Sequence, residues 1–187
     1  SCWVVVCRLE CAMYGYDTTA GWATFLDPKK TGAVIIWGAN MNKSEPRIWM
    51  GYSMSKKMGV KLIVVDPRPT ECTKEADIWL QLRPGTDGAL ALGMLNVIIN
   101  EGLYDKEFVE KWCLGFDELK TLVQQYPPEN AAQITGVPAE QIIEAARVFA
   151  NAPAGVITWG VATGHLGSGA GLSSVLGKCW LRAITGN

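Results

Sequence analysis

The segment 33–40, AVIIWGAN, constrains the fold more than any other part of the sequence. Four apolar residues, three of them β-branched, lead into Trp37 and then Gly38. Turn-forming residues flank this run on both sides, which is typical of a buried strand that ends in a tight loop. Similar runs occupy 61–65 and 155–159. Because helix-like stretches separate the three runs, we expect a parallel sheet, and ligands of open sheets bind beyond the carboxyl ends of the strands.

The rest of the chain predicts an α/β fold with a mostly parallel sheet and helices on both faces. Its 187 residues suffice for one domain with a sizeable core. Apolar spacing, prolines that suit the start of a helix and glycines that suit its end locate the helices. The predicted helices cover 46–58, 88–100, 104–112, 116–125, 138–150 and 172–184, and further strands are predicted over 3–6 and 76–82.

Composition argues against two broad classes of function. The net charge is −1 and there is no long basic block, so the electrostatic footprint of a nucleic-acid-binding protein is missing. No apolar run reaches the roughly 18 residues of a membrane span. The sequence starts at Ser1 without an initiator Met or a signal peptide, so we expect a piece of a longer protein and leave its compartment open.

The six cysteines do not form a zinc-binding pattern. Three lie close together near the start with spacings of four and three residues, and the others are scattered. We therefore expect no structural zinc site, and we interpret the scattered three as buried apolar residues or surface thiols. The clustered three are Cys2, Cys7 and Cys11, and the scattered three are Cys72, Cys113 and Cys179.

The loop after the first strand is a candidate anion site. Gly38 has no Cβ, so a phosphate can approach its backbone, and N–H groups point outward before the helix predicted to start at Pro46. An ordinary turn explains the same residues, because the motif is not the G-x-G-x-x-G fingerprint of dinucleotide-binding proteins. The candidate residues are Trp37, Gly38, Ala39, Asn40 and Asn42.

The segment Val65-Asp66-Pro67-Arg68 is a second candidate site, at the end of the second strand. An acid about thirty residues after the first glycine is placed where nucleotide-binding folds accept ribose hydroxyls. Asp66 would accept those hydroxyls, and Arg68 could bind a phosphate or carboxylate in a bidentate manner. A capped turn with a surface arginine is the alternative interpretation.

Two further loops carry candidate ligand contacts. A turn followed by a helix cap explains Gly85-Thr86-Asp87, although the carboxylate of Asp87 could also accept two N–H donors from a guanine edge. Five glycines within the twelve residues 160–171 suggest that the backbone there comes close to a ligand or belongs to a mobile loop. That segment contains Gly160 and His165, the only histidine, and a single histidine cannot form a metal site.

Taken in order, these motifs resemble those of the molybdopterin oxidoreductase family, which carries molybdenum or tungsten on two molybdopterin guanine dinucleotides. The similarity covers nearly the whole chain, and agreement at all the motifs in order is not a matter of chance. The stretch 96–126 is particularly similar to the acetylene hydratases, tungsten members that add water without net redox change, although reductases share much of it. The motifs are WGAN at 37–40, VDPRPT at 65–70, ADIWL at 76–80, RPGTD at 83–87, the segment 96–113, ITGV at 134–137 and AITGN at 183–187.

The resemblance implies a Rossmann-like, dinucleotide-binding domain over 33–187 and a segment near the metal over 1–32. It implies that the loop at Gly38 contacts dinucleotide phosphates, that Asp66 and its neighbours contact ribose or guanine, and that 85–87 hold the guanine end. The metal ligand, Cys in many members, lies thirteen positions before a Gly, which places it at Cys2. Cys7 and Cys11 do not match that spacing and are the runner-up ligands, and Val5-Val6 replace a Pro-Arg pair common in the family.

The resemblance also implies parts that these residues do not include. Family enzymes usually begin with a domain that holds a 4Fe-4S cluster, and a carboxyl-terminal domain completes the second dinucleotide site. We therefore expect a central fragment of an oxidoreductase that acts on a small molecule, with an iron–sulfur electron-transfer subunit as partner. A tungsten-dependent hydratase and a non-catalytic nucleotide-binding module are the alternatives.

Overall fold

A four-stranded parallel sheet lies at the centre of the computed structural model, which describes residues 12–14, 27, 29–160 and 170–187. All neighbouring strands are parallel, and the strand order is β3-β2-β1-β4. The predicted strand 3–6, Cys2 and His165 lie outside the described residues. The strands are β1 (Ala33–Trp37), β2 (Lys61–Val65), β3 (Ile78–Leu80) and β4 (Gly155–Trp159).

Helices connect the strands and cover the sheet. Most begin and end where the sequence predicts; for example, Asp105 caps a helix by accepting a hydrogen bond from Phe108 N at 2.9 Å. The helices are α1 (Met41–Ser44), α2 (Pro46–Lys57), α3 (Glu71–Glu75), α4 (Asp87–Asn100), α5 (Lys106–Trp112), α6 (Phe116–Val123), α7 (Pro128–Thr135), α8 (Ala139–Ala150) and α9 (Ala170–Ile184).

Both faces of the sheet are buried, as predicted. Alternate residues of a strand point to opposite faces, and the two faces belong to two separate apolar clusters. On one face Ile35 and Ile63 join the large cluster that contains much of α4 and α8. On the other face Val34 and Val64 join a smaller cluster with Trp49 of α2. The prediction of an α/β fold with a parallel sheet and helices on both faces is confirmed.

Three short helices were not predicted. The loop after β1 was expected to remain open up to Pro46, but residues 41–44 form a helical turn. The turn after β2 leads into α3, where Thr70 and Thr73 cap the helix reciprocally. No helix is predicted between 125 and 138, because the sequence Pro127-Pro128 suggests only the end of the preceding helix. Pro128 instead starts α7, because the first helical residue needs no N–H partner.

Alanine substitutions at two glycines inside helices are expected to change the free energy of unfolding in opposite directions. At Gly93 of α4 a Cβ would lie 2.6 Å from the Cβ of Ala131 on α7, so Gly93→Ala should lower the free energy of unfolding by about 1–3 kcal/mol. At Gly51 of α2 a Cβ would meet nothing within 4 Å, so Gly51→Ala should raise it by about 0.5–1 kcal/mol. Chemical denaturation followed by circular dichroism measures both changes, and a stabilising Gly93→Ala would contradict the close contact of α4 and α7.

Candidate functional site

The carboxyl ends of β1 and β4 form the candidate site. From β1 the chain moves to β2 and β3 on one side, whereas β4 pairs with β1 on the other side. The direction of strand addition therefore reverses between β1 and β4, and a crevice at such a point is where open parallel sheets bind ligands. Gly38 follows β1 and Gly160 follows β4, so both glycines lie at this reversal.

Backbone atoms alone fill the space between the two glycines. Gly160 N donates to Trp37 O at 2.9 Å, and Gly38 N donates to Val65 O at 2.7 Å. A Cβ on Gly160 would lie 2.1 Å from Gly38 O, closer than any side chain can approach. Gly38 has a φ of 60°, a backbone conformation that favours glycine. The two glycines therefore let the backbones at the ends of β1 and β4 touch, and no side chain of either residue blocks a ligand that approaches beyond the strand ends.

Asn40, two residues after Gly38, supplies a buried polar atom. It occupies the N-cap position of α1, and its own carbonyl accepts from Ser44 Oγ at 3.1 Å. Its side-chain Oδ1 is buried and, within the described part of the chain, has no hydrogen-bond partner. Buried acceptors are almost always paired in folded proteins. A bound group that presents a hydroxyl or a ring N–H would satisfy this atom, so the residues fit a ligand with such donors.

Asp66 lies at the end of β2, next to the crevice, and is 3% exposed. Its Oδ1 accepts from Arg68 N at 2.8 Å, and its backbone carbonyl accepts from Trp79 Nε1 at 2.8 Å. The Arg68 side chain is 75% exposed, and its Nε lies 4.0 Å from Asp66 Oδ1. This is the geometry of the capped turn, so a ribose hydroxyl would share the carboxylate with the backbone of the turn.

Asp87 joins the third candidate loop to the first. Gly85 takes a φ of 87°, and Thr86 Oγ1 donates to Arg83 O at 2.6 Å rather than capping α4. Asp87 begins α4, and its Oδ1 accepts from the indole Nε1 of Trp37 at 2.7 Å. Asp87 is 6% exposed and Trp37 is fully buried. The Oδ1 atom of Asp87 therefore holds the Trp37 indole, and a guanine would contact the other carboxylate oxygen.

Lys178 is a site residue that the sequence analysis missed. It lies on α9, is fully buried, and donates from Nζ to Ser174 Oγ at 2.8 Å. Its Nζ lies 5.2 Å from the ring centre of Trp37 and 5.6 Å from that of Trp159. Burial lowers the pKa of Lys178 to about 7, whereas the charge of Asp87 acts in the opposite direction. The sequence signal that could have identified it is a lysine within an otherwise uncharged stretch of the helix, where its neighbours are Gly177 and Cys179.

The structure thus brings together some of the predicted residues and separates others. The glycines at 38 and 160, Trp37 and Asp87 converge between β1 and β4, while Asp66 lies one strand away.

Burial raises the pKa of the Cys72 and Cys113 thiols, as expected of apolar surroundings. Among the described residues no three His, Cys, Asp or Glu side chains are grouped to hold a metal. No helix in the described ranges is long and apolar enough to cross a membrane.

Comparisons with known proteins place this geometry in context. Residues 7–170 match the family model of the molybdopterin oxidoreductases. The acetylene hydratase of Syntrophotalea acetylenica is 54% identical over 131 residues, which cover 70% of this chain and 18% of the hydratase. The F420-dependent formate dehydrogenase subunit alpha of Methanocaldococcus jannaschii is 39% identical over 161 residues, covering 86% of this chain and 24% of that subunit.

A solved structure agrees with the fold over the full chain. The acetylene hydratase from Pelobacter acetylenicus superposes with a TM-score of 0.83 and 39% identity, covering 100% of this chain and 25% of that one. The chain therefore spans no more than a quarter of the length of these relatives. The family resemblance predicted from the motifs is confirmed, while the roles of individual residues stay predictions.

Proposed function

Because the chain belongs to the molybdopterin oxidoreductase family, we propose that it is the central part of a molybdenum or tungsten oxidoreductase and binds one guanine dinucleotide of the cofactor. Membership of the family implies a molybdopterin cofactor with one of these metals. The observation that carries the proposal is the backbone contact of Gly38 and Gly160, where two strand ends meet without side chains at the reversal of strand order. The buried Oδ1 of Asn40, which has no hydrogen-bond partner among the described residues, supports a ligand with hydrogen-bond donors.

Each strand end would hold a different part of the dinucleotide. The backbone at Gly38 would face phosphate, since no Cβ blocks it. Asp66 would accept a ribose hydroxyl, with the exposed Arg68 available to an anionic group. Thr86 and Asp87 would contact the guanine end. The remaining candidate contacts are Trp37, Ala39, Asn40, Asn42, Val65, Pro67, Gly85, Gly160 and His165.

The metal would supply the redox chemistry, and this chain would bind, orient and shield the cofactor. Cys2 would be the metal ligand, because a thiolate is a soft anionic donor that suits such metals. Residues 1–32 would then lie near the metal, and 33–187 would form the dinucleotide-binding domain. A 4Fe-4S cluster in another part of the protein and an iron–sulfur partner subunit would carry electrons. The formate dehydrogenase relatives are themselves named as alpha subunits.

The role of Cys2 can be separated from that of its neighbours. In the full-length protein, Cys2→Ala is expected to remove one sulfur from the metal coordination sphere and to lower activity by at least about tenfold, because a metal ligand is lost. Cys7→Ala and Cys11→Ala are matched controls and should change neither. X-ray absorption at the metal edge measures the sulfur count. Unchanged coordination and activity in Cys2→Ala would show that Cys2 is not the metal ligand, whereas a full-length protein without metal would favour a non-catalytic nucleotide-binding module.

A tungsten-dependent hydratase is the second candidate function. The observation that favours it is the 54% identity to acetylene hydratase, against 39% to the formate dehydrogenase subunit. An assay of the full-length protein distinguishes the two. Addition of water to acetylene without an electron acceptor would identify a hydratase, whereas turnover that requires an acceptor or donor, with formate among the substrates tried, would identify an oxidoreductase.

A further inference from the structure

Two indole rings flank one buried ammonium group at the ends of neighbouring strands. Trp37 ends β1, Trp159 ends β4, and the two residues are direct partners in the β1–β4 register. Lys178 Nζ lies 5.2 Å from the first ring centre and 5.6 Å from the second. A cation within about 6 Å of an indole centre is attracted to the ring, and this attraction is strongest where water is excluded. Lys178 is fully buried.

The Trp37 indole has a partner at its edge, Asp87, as well as one over its face, Lys178. Its Nε1 donates to Asp87 Oδ1 at 2.7 Å, and this bond is buried. On the side of α9, Lys178 Nζ donates to Ser174 Oγ at 2.8 Å, and Ser174 is also fully buried. The ammonium group is therefore fixed on its own helix while it contacts the strand ends. These contacts connect α9, β1, β4 and α4 at one point.

Packing alone does not account for a lysine at this position. Burying a charge costs free energy, and a Met side chain would fill a similar volume without that cost. Close packing of α9 against α4 is already provided by small residues, since a Cβ on Gly177 would lie 2.5 Å from the Cβ of Ala91. The charge of Lys178 is favoured by the Asp87 carboxylate, and among the described residues the rings of Trp37 and Trp159 lie within 6 Å of its Nζ.

We propose that Lys178 is a positioning residue that fixes the ends of β1 and β4 relative to each other, and with them the backbone contact between Gly38 and Gly160. The ammonium group attracts both indole rings, so the strand ends are held on the same cation. The hydrogen bond from Gly160 N to Trp37 O, 2.9 Å long, lies directly at this point and reports whether the ends stay together. The inference rests on the proposed function only for the identity of the ligand that binds at these strand ends.

Hydrogen exchange in the full-length protein tests this role. At pH 6, below the Lys178 pKa of about 7, Lys178→Met is expected to speed exchange of the Gly160 amide by about tenfold or more. The amides of β2 should exchange as in the wild type, because they lie away from the cation. Lys120→Met, on the exposed surface of α6, is the matched control and should change the exchange of neither the Gly160 amide nor the β2 amides. Unchanged exchange at Gly160, or equally faster exchange throughout the sheet, would overturn the proposal.

A second pair of variants tests the ring rather than the cation. Trp159→Phe keeps an aromatic face for the ammonium, whereas Trp159→Leu removes it. We expect the phenylalanine variant to protect the Gly160 amide at least about tenfold better than the leucine variant. Equal exchange in the two variants would show that the cation–ring contact does not hold the strand ends.

Guanine nucleotide content, measured in the same samples, separates this inference from the proposed function. If the wild type contains no guanine nucleotide but Lys178→Met still speeds exchange of the Gly160 amide, the proposed ligand is wrong and the positioning role stands. If the wild type contains the nucleotide and Lys178→Met changes neither exchange nor nucleotide content, the positioning role is wrong and the proposed function stands.

Discussion

Replacing Gly160 with alanine is expected to lower the cofactor content of the full-length protein by about tenfold to hundredfold, which corresponds to a cost of about 1–3 kcal/mol. The added Cβ would lie 2.1 Å from Gly38 O, which is backbone and cannot rotate away. Either β1 or β4 must therefore shift at its carboxyl end. That shift would break the hydrogen bond from Gly160 N to Trp37 O and displace the backbone that the ligand is proposed to contact.

The matched control for this experiment is Gly51→Ala. Gly51 lies on α2, and a Cβ there would meet nothing within 4 Å, so its cofactor content should equal that of the wild type. Guanine nucleotide and metal are measured per mole of purified protein for each variant. A Gly160→Ala protein that keeps its full cofactor content would show that the ligand does not depend on the ends of β1 and β4.

The second large effect is expected at Asp87. Asp87→Ala leaves the buried Nε1 of Trp37 without its acceptor and removes the carboxylate that favours the charged form of Lys178. We expect the free energy of unfolding at pH 7 to fall by about 2–4 kcal/mol. In a Lys178→Met background the same substitution should cost less, because no buried cation then depends on the carboxylate. A double-mutant cycle followed by chemical denaturation measures this difference, and strictly additive effects would contradict the coupling.

The dependence of stability on pH provides an independent check on Lys178. Its pKa in the folded chain is about 7, below the ordinary value of 10.5, so the unfolded chain binds more protons between these two pH values. The free energy of unfolding contributed by this group therefore rises as the pH rises from about 7 towards 10.5, and it is constant below that window. Lys178→Met should abolish the rise. Denaturation of both proteins at several pH values measures it, and an identical rise in the variant would assign it to other groups.

Much of the fold could be predicted because its signals are local. Apolar β-branched runs mark β1, β2 and β4, and a regular apolar spacing marks α8. The helical turns α1 and α3 escaped prediction because four or five residues show too little periodicity. The start of α7 was missed because Pro128 can end one helix or begin another, and only the packing around it decides.

The candidate site was predictable only in part, since it depends on contacts between distant segments. Gly38 and Asp66 stand out because each follows a strand. The contact between Trp37 and Asp87 joins residues fifty positions apart, and it follows from the placement of α4 on β1. The position of Lys178 over two indole rings depends in turn on how α9 packs on the sheet. No local pattern contains that information, whereas the ordered motifs did indicate the family.

The metal and nucleotide content of the full-length protein, purified without oxygen, tests the central claim most directly. We expect molybdenum or tungsten together with guanine nucleotide, both reduced in parallel by Gly160→Ala and unaffected by Gly51→Ala. A wild-type protein with neither metal and no guanine nucleotide would contradict the account.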